Sequence, residues 1–210
     1  MGHLQDYLKD LTEFHETFGH PVVRSFADCS FDKLPLRKTL IAEECAEYTN
    51  AKTRVEIIDA LGDLLYVVVG TILTTGVLPH EYQERATVIC TKTKLPLISP
   101  VNELLKVLGK LQPCYKGLWE TTTVLYWKIH DAAIVYGVDL YNAFKLIHKS
   151  NMTKIWPMHL VMDSPEFNPD LMEASFVASE RIPAGCVVTR KSDGKVLKPS
   201  TYQPVDLTKL

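Results

Sequence analysis

Two acidic clusters stand close together in the first third of the chain: Glu43-Glu44-Cys45-Ala46-Glu47, then Glu56-Ile57-Ile58-Asp59 with Asp63 following. Glu44 and Glu47 are three apart, as are Glu56 and Asp59, and Asp63 lies four beyond Asp59. On a helix these spacings set each group along one face. Two such faces turned toward each other bring four or five carboxylates to one point. Left unneutralised in a low-dielectric setting they repel, and a bound hard cation is the natural remedy. All-oxygen ligands suit magnesium, with manganese as a substitute, whereas zinc or copper would call for His or Cys. A di-iron bundle needs Glu-x-x-His, and no Glu here has a His three residues later. Ordinary solvated glutamates are the alternative. They fit the second cluster poorly: Asp59 and Asp63 are weak helix formers set among Ile57, Ile58, Leu61, Leu64 and Leu65, and the position four beyond Asp59 holds another acid instead of Lys or Arg.

The elements that must position these acids follow from periodicity. Leu4, Leu8, Leu11, Phe14 and Phe18 mark a helix over 3–18, ended by Gly19. A second helix over 36–50 carries the first cluster. Thr53 caps a third, running to about Thr74, with Glu56 completing a capping box. Only eight residues separate Glu47 from Glu56, so the two helices turn sharply between them. The pattern breaks up over 80–98, a helix pair follows at 101–111 and 117–136, and Asp139 caps a short helix over 139–149. Beyond Pro157 periodicity fades, apart from a short hairpin over 186–198 with Asp193-Gly194 as its turn. The expected architecture is an all-α bundle (1–157) with an extended C-terminal arm (158–210), either part of the same domain or its oligomer interface.

Composition narrows the function classes. The 210 residues carry 46% hydrophobic and 23% charged side chains, enough for a substantial core. A net charge of −2 makes no electrostatic case for nucleic acid. The five cysteines are scattered, odd in number and without a CxxC, as expected of reduced thiols in a cytoplasmic protein. The polar N-terminus reads as neither signal nor transit peptide, and the apolar run 64–73 is about half a membrane span.

The stretch EECAEYTNAKTRVEIIDALGDLLYVVVGT resembles the paired ExxE and ExxD motifs of the all-α nucleotide pyrophosphohydrolase superfamily, which includes MazG-like enzymes, dimeric dUTPases, dCTPases and phosphoribosyl-ATP pyrophosphohydrolases. HKSNMTK at 148–154 resembles the SNM-x-K segment of the phosphoribosyl-ATP pyrophosphohydrolase-like branch, and DGKVLK at 193–198 resembles its C-terminal turn. The resemblance implies magnesium-dependent cleavage between the α- and β-phosphates of a nucleoside triphosphate, with Glu44, Glu47, Glu56 and Asp59 as metal ligands. Glu43 is the candidate base. Asp63 is a secondary candidate for orienting water or pairing with a lysine. Asn151, with a donor and an acceptor, suits a base edge or sugar hydroxyl, and Lys154 a phosphate oxygen. For Asn151 a helix C-cap is the structural alternative; Lys195 and Lys198 could reach a phosphate across a subunit boundary, but exposed turn lysines are the default reading. The helix pair at 101–136 is expected to be an insertion splitting a four-helix core. A homodimer or homotetramer is expected, and dUTP or another pyrimidine or noncanonical nucleotide is the favoured substrate. The alternatives are phosphoribosyl-ATP hydrolysis and a non-catalytic protein tied by its metal.

Overall fold

The structure, a computed structural model, describes residues 3–78 and 96–210. Most of the irregular stretch read at 80–98 lies outside these residues. The chain is all-α with one small sheet. α1 (Leu4–Thr17) buries Tyr7, Leu8, Leu11 and Phe14 along one face, and the chain leaves it through Gly19 at φ 69°. α2 (Leu34–Asn50) and α3 (Arg54–Thr75) are joined by the sharp turn, which the capping box holds. The Thr53 hydroxyl accepts from Glu56 N at 3.2 Å, and Glu56 Oε2 accepts from Thr53 N at 2.9 Å. α3 stops at Gly76, at φ 68°; a Cβ there would meet the Ser25 carbonyl carbon at 2.6 Å, so both conformation and space call for glycine.

α3 is the central helix, packed against α1, α2, α5 (Tyr115–Tyr136) and α6 (Leu140–Met152). It is long and apolar enough by composition to cross a membrane, yet 83% of its most apolar window is buried inside the protein, as befits a core helix. At Gly62 α6 comes so near that an added Cβ would lie 2.3 Å from Ile147 Cδ1. α4 (Ile98–Leu108) packs on α2 and α5. The expected helix pair is present as α4 and α5 and packs into the bundle, α5 directly on α3.

The C-terminal third holds more regular structure than its sequence suggests. β1 (Trp156–Pro157), β2 (Ala174–Ala178) and β3 (Gly185–Arg190) form an antiparallel sheet in the order β1-β3-β2, with Phe176 opposite Val188, and the short helix α7 (Met158–Met162) follows β1. The expected hairpin exists: Arg190 N donates to Lys195 O, Gly194 takes φ 74°, and a single bridge joins Thr189 to Val196. The main partner of β3 is β2, which escaped the sequence reading because most of its residues are exposed and apolar and polar positions do not alternate. The last residues cross back over the bundle. Trp156 Nε1 donates to Leu197 O at 2.9 Å, Ser150 Oγ to Gln203 O at 2.7 Å, and Gln203 N to Thr153 Oγ1 at 2.9 Å. Leu207 is buried against Ile58 and Ala143.

Candidate active site

A cavity of about 540 Å³ opens between α1, α2, α3, the end of α6 and the arm. Its two ends differ in chemistry. At one, Glu43, Glu44 and Glu47 of α2 face Asp59 and Asp63 of α3, with Lys154, Lys195 and Lys198 around them; at the other, Leu11, Phe14, His20, Leu36, Leu40 and Tyr66 make an apolar, aromatic wall.

The acidic end carries unmet electrostatic demand. Glu44 Oε2 is buried and has no hydrogen-bond partner among the described residues. Burial, then the charges of Asp63 and Glu47, push the Glu44 carboxyl up to about 8. Burial first and Asp59 next push Asp63 up to about 7, and burial raises Asp59 as well. Burial brings Lys154 down to about 8, against the pull of Asp63. Among the described residues no three His, Cys, Asp or Glu stand close enough together to form a ready-made ion cage. The acids share a cavity without converging on a point.

One predicted ligand lies elsewhere. Glu56 is exposed, is absent from the cavity lining, and commits its carboxylate to the backbone N–H groups of Lys52 and Thr53 at 2.6 and 2.9 Å. The reason is its place in the first turn of α3, where orphan N–H donors capture a carboxylate three residues on. The α3 pair that faces the cavity is instead Asp59 and Asp63, four apart, so Asp63 moves from a secondary place to the centre.

Glu43 lines the cavity, and its Oε2 accepts from Lys195 Nζ at 2.7 Å. Asn151 is buried within the last turn of α6, which runs on to Met152, so it is not the C-cap; its side chain bonds the Tyr66 hydroxyl. Lys195 and Lys198, for which exposed turn lysines are the default reading and a phosphate contact across a subunit boundary the other, both line the cavity of their own chain. The only signal for them was the turn motif itself. Arg37 and Tyr66 were missed as polar lining, because each sits at a core position of its helix. His15 is fully buried, and its Nδ1 lies 2.7 Å from Pro21 O. A carbonyl can only accept, so Nδ1 carries the proton and Nε2 is left as an acceptor, without a partner among the described residues. Burial and the nearby Arg37 hold His15 down to about 3. Arg37 donates to Thr71 Oγ1 and Val67 O, in space that Gly70 leaves free: a Cβ there would lie 2.6 Å from Arg37 Nη2 and 3.1 Å from His15 Nε2.

Residues 11–86, which carry both acidic clusters, match the phosphoribosyl-ATP pyrophosphohydrolase family. A second likeness spans more of the chain: the uncharacterized protein L479 of Acanthamoeba polyphaga mimivirus is 30% identical, over 68% of each chain. The chain belongs to this family. It is therefore a member of the all-α nucleotide pyrophosphohydrolase superfamily, whose enzymes hydrolyse acid anhydrides and generally use divalent metal ions. No solved structure matches it. The α2–α3 pair fits such an ion on the chemistry of its donors: carboxylate oxygens from two helices, one of them buried and without a hydrogen-bond partner among the described residues. In this pyrophosphohydrolase, Glu44 and Glu47 of α2 and Asp59 and Asp63 of α3 line the same cavity.

Proposed function

We propose that the chain is a magnesium-dependent nucleoside triphosphate pyrophosphohydrolase, with manganese as a working substitute. It cleaves the α–β phosphate anhydride to release a nucleoside monophosphate and pyrophosphate. The observation that carries this reading is the two-ended cavity, with paired acids and lysines at one end and an aromatic wall at the other. A polyphosphate bound through a cation needs the first end, and a nucleobase the second.

Glu44, Glu47, Asp59 and Asp63 would hold the metal. A bound divalent ion supplies charge neutralisation at the phosphoryl group undergoing attack and acidifies water. The protein's own side chains do the rest. Glu43, at the rim of the acid cluster, is the candidate base: it takes the proton of the attacking water as the new P–O bond forms. The anhydride P–O bond then breaks, and its electron pair leaves on the departing phosphate. Lys154 faces the phosphates, Asn151 orients the sugar or base edge, and Phe14, His20 and Tyr66 exclude water around the base.

The favoured substrate is dUTP or another pyrimidine or noncanonical nucleotide. In the cavity, Phe14, His20 and Tyr66 offer ring faces to a base and Asn151 a donor and an acceptor for its edge. Phosphoribosyl-ATP is the second reading, favoured by the family match over residues 11–86. The protein is expected to work as a homodimer or homotetramer. Pyrophosphate release from dNTPs, NTPs and phosphoribosyl-ATP, with magnesium, manganese or EDTA, tests all of this. Metal-dependent turnover of a pyrimidine nucleotide supports the first reading, and turnover of phosphoribosyl-ATP alone the second. Silence across the panel from folded protein leaves the non-catalytic alternative.

A further inference from the structure

The acidic end of the cavity sets a problem for any polyphosphate: it brings anionic oxygens toward five carboxylates. A metal ion meets part of this charge, and the chain's own cations must meet more. Two of them come from the far end of the sequence. Lys195 and Lys198 line the acidic end from the arm, and the backbone that bears them is firmly seated. Lys195 O accepts from Arg190 N at 2.9 Å and Lys195 N donates to Asp193 Oδ1 at 3.0 Å. Leu197 N donates to Val188 O at 2.9 Å, while Leu197 O takes the Trp156 indole. The side chains differ in engagement: Lys195 Nζ rests on Glu43 at 2.7 Å, and Lys198 Nζ lies 4.5 Å from the centre of the Tyr202 ring. Both pairs are partly solvated, with the Lys195 and Glu43 side chains each 41% exposed, and such contacts exchange readily for a better partner.

We infer that the arm is a phosphate clasp, in which Lys195 and Lys198 bind the pyrophosphate portion of the substrate and Glu43 holds Lys195 until it arrives. Transfer of Lys195 to a phosphate oxygen frees the Glu43 carboxylate at the same moment, so the candidate base becomes available only with substrate in place. The inference rests on the pyrophosphohydrolase reading and adds what the arm does within it.

The probe is inorganic pyrophosphate with magnesium, titrated calorimetrically into the full chain, beside dUMP as a ligand lacking the pyrophosphate. Lys195→Gln/Lys198→Gln should weaken pyrophosphate roughly tenfold or more, as expected for losing charge-assisted contacts, and leave dUMP within about twofold. Lys195→Arg/Lys198→Arg should keep most of the affinity. Unchanged pyrophosphate affinity in the Gln variant, an equal loss for dUMP, or no pyrophosphate binding by the unsubstituted chain would each overturn the clasp. Should the double variant fail to fold, Lys198→Gln, at an exposed position, gives the same comparison. Turnover of the unsubstituted chain on the nucleotide panel judges the parent reading separately: turnover together with unchanged pyrophosphate affinity in the Gln variant defeats the clasp alone.

Discussion

Removing the metal should make this protein lose stability between pH 6.5 and 8, where most proteins change little. Glu44 and Asp63 hold their protons more tightly folded than unfolded, with carboxyls pushed up to about 8 and about 7. For an acid raised in this way the stabilisation is complete below the ordinary carboxylate range and is lost as pH climbs through the folded value. His15 and His20, both held down to about 3, act in the opposite sense, but only below their ordinary value of 6.5. Lys154, brought down to about 8, begins to contribute only above that. The window between is therefore left to the two acids. At about 1.4 kcal/mol per pH unit for each, Glu44 loses about 2 kcal/mol across it and Asp63 about 0.7 kcal/mol. Allowing for partial solvation, about 1–3 kcal/mol remains, a fall in Tm of about 2–12 °C for a chain of this size. The assay is thermal unfolding in EDTA at pH 6.5, 7, 7.5 and 8, repeated in excess magnesium. The metal should abolish the fall, because it binds the deprotonated acids and only in the folded state. Glu44→Gln should flatten most of the slope, raise the metal-free Tm at pH 8, and remove the magnesium response. A metal-free Tm that is level or rising over this range would refute the reasoning, as would an equal slope in magnesium.

Asp59→Asn and Glu56→Gln separate the two assignments on α3: the first should lower turnover about 100-fold or more and weaken magnesium binding, as for loss of a charged ligand, and the second should leave both within about twofold, read by pyrophosphate release and calorimetry. Gly70→Ala should cost about 1–3 kcal/mol in urea unfolding, since its Cβ would occupy the space of Arg37 Nη2. It should also raise KM more than it lowers kcat, because Arg37 lies at the base end of the cavity. Trp156→Phe removes the indole donor to Leu197 O and should cost about 1–2 kcal/mol, with faster amide exchange over 195–198 as the arm loosens.

What could be read from the sequence was whatever depends on neighbours along the chain. The helices of the bundle, the Thr53–Glu56 capping box and the Asp193-Gly194 turn are local, and each appears near where residue spacing puts it. Glu56 shows the limit of that logic. Its spacing to Asp59 suits a metal face as well as the Asp59–Asp63 spacing does, and only the position of the helix start decides between them. A carboxylate in the first turn has backbone donors at hand and takes them; one turn further along α3 the donors are used up, and the acids point into the cavity. That Glu56 was already engaged as a cap was itself the sequence-level clue.

The cations illustrate the complementary limit. Nothing within DGKVLK says that two lysines face an acid cluster about 150 positions earlier; the sheet that carries them there depends on a strand at 174–178 with no clear alternation. Yet the division has a physical logic. Acids and lysines adjacent on one helix would pair with each other at i, i+4 and leave no field for a ligand. Carried on separate elements, the acids stay under-neutralised, as Glu44 Oε2, without a hydrogen-bond partner among the described residues, and the raised Glu44 and Asp63 attest, and the lysines remain in weak contacts that a phosphate can displace. A site that must accept both a cation and a polyanion, and then release the products, needs both sets of charges within reach and neither set satisfied.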